Sequence, residues 1–180
     1  VIRTSFAEQA YLHLIEQLKK QIRAIDTEVR RLIESDPTFK EMLLLLLSVP
    51  GVGLLLASHF ILLAQFSLEY KLLASLLGIA PHEHSSGTSV YKPATSRHFG
   101  PPAIRKLLYL AACSVCTHRP QFRTYLARKT QQGKPARLVL NNVENKLIRI
   151  ICAVLSSKTA FIESYHSVQP LALQKALTVS

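Results

Sequence analysis

Acidic side chains are scarce in this chain of 180 residues, and they are unevenly placed. No Asp follows Asp36, and beyond residue 41 the only acids are Glu69, Glu83, Glu144 and Glu163. Two-metal phosphoryl transfer needs several carboxylates converging on one site, so this part of the chain cannot build such a site alone. The same lack excludes a Ser-His-Asp hydrolase, and no Gly-x-Ser-x-Gly elbow occurs. No Gly-Lys-Ser/Thr occurs either, which excludes a P-loop. Cysteine is limited to Cys113, Cys116 and Cys152. An odd, low count with no signal peptide predicts a reducing, cytoplasmic setting. Cys113 and Cys116 have the spacing of zinc and redox pairs, but there is no second pair. They fall in an apolar helical run and read as small core residues. No segment alternates with the period of a strand, which predicts an all-α fold. The chain opens on Val1 without a Met, so a fragment of a longer protein is expected.

Positive charge is what remains. The formal net charge is +11. Residues 1–41 hold seven Lys/Arg and seven Asp/Glu, whereas residues 42–180 hold fifteen Lys/Arg against four acids. The basic part therefore predicts a polyanionic partner.

Residues 1–36 form the first unit, with one helix expected over 6–34. Tyr11, Ile15, Leu18, Ile22, Ile25, Val29 and Leu32 repeat at alternating spacings of four and three. That is a heptad seam, and it predicts a coiled coil and a homo-oligomer. Ser35 or Asp36 can cap the next helix before Pro37. A compact helical domain is expected over 37–160, and a weakly structured tail over 161–180. Met42–Phe66 contains no charged residue, but Pro50, Gly51 and Gly53 break it in the middle. Two short buried helices fit better than a membrane span. The Pro50-Gly51-Val52-Gly53 turn reads as a helix-hairpin-helix-like motif. Its glycines would let a nucleic-acid phosphate approach the backbone at the start of the second helix. A plain αα-hairpin without a ligand is the other reading.

Further helices are expected over 68–77 with Gly78 as terminator, then 102–117, 121–130 and 136–155. The helix over 121–130 is basic through Arg123, Arg128 and Lys129. On the last helix, Leu138, Val139, Val143, Leu147, Ile150 and Ile151 are expected to face inward. Residues 81–100 are rich in Pro, Ser, Thr and Gly and predict an irregular loop. In this loop His82-Glu83-His84 has the wrong spacing for a helical zinc site, which needs His at i and i+4. Hydroxyls beside Gly87 are candidate nucleophiles: Ser85, Ser86, Thr88 and Ser89, with Tyr91, Thr95 and Ser96 nearby. A serine attacking a phosphate needs cations around the transition state, and Lys92, Arg97, Arg105 and Lys106 are candidates.

Five segments occur in order: Val49-Pro50-Gly51-Val52-Gly53; Leu73 to Pro81; Ser85-Ser86-Gly87-Thr88-Ser89-Val90; Ile104-Arg105-Lys106-Leu107-Leu108-Tyr109; and Gly133-Lys134-Pro135. Together, over about residues 42–156, they closely resemble the C-terminal transposase domain of the insertion sequence 110/116/902 family. The resemblance implies an insertion-sequence recombinase of a bacterium or archaeon, associated with the nucleoid. It implies that an N-terminal RuvC-like domain, absent from this chain, carries four acids that bind a divalent metal, Mg. A coiled coil would link that domain to this one, and a guide RNA would pair with DNA. The family's nucleophilic serine stands just before a small residue. This implies Ser86, followed by Gly87, with Ser85 as the fallback. Many relatives continue with Gly-Gly-Lys, where this chain has Gly87-Thr88-Ser89 and its first cation only at Lys92. Alone, the chain is then expected to bind nucleic acid without completing recombination. The alternatives are a non-catalytic helix-hairpin-helix DNA-binding module and a coiled-coil oligomerisation scaffold.

Overall fold

The computed structural model describes residues 2–86, 90–96 and 100–163. The order of elements is α1 (Ile2–Glu34), α2 (Pro37–Leu47), α3 (Leu54–Ala64), α4 (Tyr70–Leu76), β1 (Pro81–Ser86), β2 (Val90–Ser96), α5 (Pro102–His118), α6 (Pro120–Gln131) and α7 (Ala136–Ser157). The body is helical, as expected. No helix among the described residues is long and apolar enough to cross a membrane.

Among the described residues, helix α1 makes its main contacts with the body through α2 and α3. Its seam is largely uncovered by its own chain: Ile22 is 57% exposed, and Tyr11, Ile15, Leu18 and Ile25 are exposed as well. Only Val29 and Ile33 are half-buried, and Ile33 packs on the core. At the junction, Asp36 Oδ1 accepts hydrogen bonds from Thr38 N (2.7 Å) and Phe39 N (3.2 Å), and Pro37 opens α2. This is the N-cap that the sequence pattern predicts.

The core lies between α2, α3, α4, α5 and α7. Phe60, Leu43, Leu46, Leu73, Leu77, Leu108, Leu147 and Ile151 are fully buried there. Cys116 and Cys152 are buried too, and all three cysteines are free thiols. Burial pushes the Cys152 thiol up to about 11, so it is an inert core residue rather than a nucleophile. On α7, Val139, Val143, Leu147 and Ile151 face inward as expected. Leu138 does not; it is 47% exposed, because it points to a different side of the helix from the fully buried Val139. Residues 161–163 are held by the body. The Phe161 amide donates to Ser48 Oγ (2.8 Å), and Glu163 pairs with Arg119 (3.6 Å). Residues 164–180 of the expected tail lie outside the described residues.

The segment expected to be irregular is regular in part. Strands β1 and β2 pair antiparallel from Pro81↔Ser96 to Ser86↔Val90. The register shifts between His82↔Thr95 and His84↔Lys92, so Pro93 and Ala94 stand opposite Glu83 alone. That is a β-bulge at a proline, which has no N–H to give the ladder. A ribbon of this kind was hidden from pattern reading. Its two strands form a sheet by themselves, and their sequence shows no apolar alternation to mark it.

A candidate catalytic hairpin and its basic surroundings

Both roots of the hairpin are fastened to the body. On the entering side, Gly78 takes a left-handed conformation (φ 66°) just beyond α4. The Ile79 and Ala80 amides then turn back to donate to Ala74 O, at 2.9 and 3.0 Å. This is the αL helix termination that Gly78 predicts. The Ile79 carbonyl accepts from two α7 side chains, Asn141 Nδ2 (3.2 Å) and Asn145 Nδ2 (3.3 Å). Asn145 also donates to Asn141 O (3.0 Å), which fixes the pair. On the returning side, Gly100 has φ 110° and presses against the end of α4. A Cβ there would lie 2.5 Å from Leu76 O and 2.8 Å from Leu77 C. Only glycine fits both the conformation and the space.

From these roots β1 runs outward for six residues and ends at Ser85 and Ser86, paired with Tyr91 and Val90. At the rise of a strand, the last serine stands about 17 Å from Pro81. Lys92 lies next along β2, opposite His84. Residues 87–89, including the candidates Thr88 and Ser89, and Arg97 lie outside the described residues.

The other candidate cations divide into two groups. Lys106 is exposed on α5. Arg105, a residue earlier, is half-buried and interacts electrostatically with Glu144 of α7. Glu144 is the one buried charged residue among those described, at 7% exposure. Burial pushes its carboxyl up to about 7, and Arg105 and Arg137 oppose that rise. Glu144 reads in the sequence as one isolated acid. A signal for its burial was present: Glu144, Ile148, Ile151 and Leu155 share one helical stripe. Asn141 and Asn145 flank it and were also missed, because side-chain amides carry no pattern of their own. On α6, Arg123 is exposed, Arg128 lies 5.9 Å from the Tyr125 ring centre, and Lys129 Nζ donates to Gln132 Oε1 (3.0 Å).

The turn between α2 and α3 has the expected glycines, with different surroundings. Gly51 is left-handed (φ 80°), and a Cβ there would lie 2.8 Å from Val115 Cγ1 and 2.9 Å from Ala111 O. Its conformation and its close approach to α5 account for the glycine without a ligand. Gly53 has open space where a side chain would be. The first bond of α3 runs from Ala57 N to Gly53 O, so the Leu54 to Leu56 amides precede the ladder. They border a groove of about 450 Å³, lined by Leu54, Leu55, Leu107 and Leu110 and, across from them, by Ile22 and Asp26 of α1.

Residues 43–127 match the family model described as Transposase IS116/IS110/IS902 family. The pilin gene-inverting protein of Moraxella lacunata is 28% identical over 156 residues, covering 84% of this chain and 48% of that protein. An insertion element IS110 uncharacterized 43.6 kDa protein of Streptomyces coelicolor is 29% identical over 148 residues, covering 81% of this chain and 35% of its own length. A probable family 20 transposase of Pseudomonas aeruginosa is 27% identical over 157 residues, covering 82% and 46%. The chain thus spans about half the length, or less, of these relatives.

Proposed function

We propose, from the match of residues 43–127 to the Transposase IS116/IS110/IS902 family model, that the chain is the C-terminal part of an insertion-sequence DNA recombinase in which Ser86 is the nucleophile. The observation that carries this reading is the hairpin. It holds Ser85 and Ser86 at the end of a ribbon whose two roots are tied to α4 and α7. A nucleophile on such an arm can reach a phosphodiester while the helical body holds the DNA.

The step is an ester exchange. Ser86 Oγ attacks a backbone phosphorus and the Oγ–P bond forms. One P–O bond to deoxyribose breaks, the serine proton passes to a base, and the departing sugar oxygen takes up a proton. The link is a phosphoserine. Strand exchange reverses the step, with the hydroxyl of another strand as attacker. One P–O bond replaces another, so no external energy source is required. Lys92, Arg97, Arg105 and Lys106 would stabilise the added negative charge. Arg123, Arg128, Lys129 and the glycine turn at Gly51 and Gly53 would hold the nucleic acid.

A divalent metal belongs, in this reading, to acids of an N-terminal domain. Among the described residues, no group of three or more His, Cys, Asp or Glu could hold such an ion. A guide RNA is part of the same reading, and the exposed α1 seam is where a second copy would pair.

Trapping tests the proposal. The full-length recombinase, supplied with Mg, guide RNA and nicked DNA, is expected to give a denaturant-resistant protein–DNA adduct that Ser86→Ala abolishes. No adduct, or one that survives Ser86→Ala, refutes the role of Ser86. Survival in Ser86→Ala with loss in Ser85→Ala transfers the role to Ser85. Absence of any adduct would favour a non-catalytic DNA-binding module.

A further inference from the structure

Four cations converge where α6 and α7 meet. Lys146 Nζ sits 3.7 Å from the centre of the Tyr125 ring. Arg128 approaches that ring to 5.9 Å. One turn along α7, Arg149 lies 4.6 Å from the centre of the Tyr70 ring. Partial burial and then the charges of Arg128, Arg149 and Lys129 push the Lys146 ammonium below its ordinary pKa. Arg128, Lys129 and Arg149 therefore crowd Lys146, and none of the four belongs to an ion pair found among the described residues. Mutual repulsion of this kind costs stability and is relieved by a polyanion laid across the cluster.

We propose that Arg128, Lys129, Lys146 and Arg149 form a phosphate-tracking surface that binds a nucleic-acid backbone without reading its bases. Two observations select the backbone over the bases. Tyr125 and Tyr70 are the rings on which a base would stack, and cations already cover both. Lys146 and Arg149 are three residues apart on one helix, so they stand about 4.5 Å apart along its axis. Two positive charges at neighbouring turns suit a repeating line of phosphates, whose charges on one strand rise by about 3.4 Å each. The four cations also lie beyond the segment 43–127 that matches the family model. The surface rests on the polyanion reading of the charge and makes no use of Ser86.

The test is a salt series. The purified chain is titrated by fluorescence anisotropy with a random-sequence duplex DNA and, separately, with a single-stranded RNA of equal length. Lys146→Ala/Arg149→Ala is expected to lower the slope of log K against log salt by about 1.8 on duplex, or about 1.4 on single strand. The arm that loses slope names the partner. Charge-keeping Lys146→Arg/Arg149→Lys is expected to retain the slope, which separates lost charge from lost folding. Tyr125→Phe is expected to leave affinity unchanged. Slopes unchanged in the alanine double variant overturn the proposal, as does an equal loss in Lys19→Ala/Lys20→Ala on α1. Phosphatidylserine vesicles form a third arm. Loss of vesicle binding with both nucleic-acid slopes intact overturns the proposal in favour of a membrane surface. A chain that loses adduct formation in Ser86→Ala but keeps its slope leaves this proposal standing.

Discussion

Replacing Glu144 with Gln should stabilise the protein at alkaline pH and do almost nothing at pH 4. Glu144 is 7% exposed, and burial raises its carboxyl from the ordinary 4.5 to about 7. Below 4.5 both the folded and the unfolded chain hold the proton, so folding gains and loses nothing there. Between 4.5 and 7 the unfolded chain ionises first, and stability falls as pH rises. Above 7 the loss is complete. A difference of about 2.5 between the two pKa values corresponds to a ceiling of about 3 kcal/mol. Solvent reaching the carboxyl beside Arg105 and Arg137 lowers this to about 1–2 kcal/mol. Gln keeps the shape and the hydrogen-bonding capacity and never ionises. Urea unfolding at pH 4 and pH 8 is the assay. Glu144→Gln should match the parent chain at pH 4 and exceed it by about 1–2 kcal/mol at pH 8. An equal effect at both pH values would show that folding does not raise the carboxyl's pKa, and a loss at pH 8 would show that the charged form is the favoured one. The burial reasoning would then be wrong.

Two further outcomes follow from the geometry. Gly51→Ala should cost about 2–3 kcal/mol, because φ is left-handed and the new Cβ meets Val115 and Ala111 O. Gly53→Ala meets nothing and should cost no more than about 1 kcal/mol as a lost N-cap glycine; thermal melts of the pair check the contrast. Asn145→Ala removes one of two donors to the Ile79 carbonyl and should cost about 1 kcal/mol. Hydrogen exchange should rise along β1 and β2 more than in α5, and a uniform rise across the body would refute the anchoring role.

Much of the helical plan was legible because each boundary has a local cause. Asp36 before Pro37 caps α2, Gly78 ends α4 through its left-handed turn, and Gly133 closes α6. Each depends on a few consecutive residues, so the tertiary structure had little to override. The hairpin was not legible, since nothing in its sequence marks a buried face. Glu144 stood in the sequence as one isolated acid; its stripe with Ile148, Ile151 and Leu155 marks a buried face, but the arginines that face it come from another turn and another helix. Gly51 pointed to a phosphate by motif, and its place against α5 adds a packing reason that the motif could not show.

The sequence by itself determined the helical body, the heptad seam of α1, the segregation of positive charge and the transposase resemblance. These follow from composition and period, which no fold can alter. Only the tertiary structure decided how the hairpin is anchored and how two residues of α7 reach across to the Ile79 carbonyl. It alone gathered Arg128 and Lys129 with Lys146 and Arg149 around two tyrosines. Contacts between residues 62 and 66 apart, as in the two asparagine bonds, depend on how the helices cross. Helix crossing is set by the packing of many side chains at once, and no local pattern encodes it.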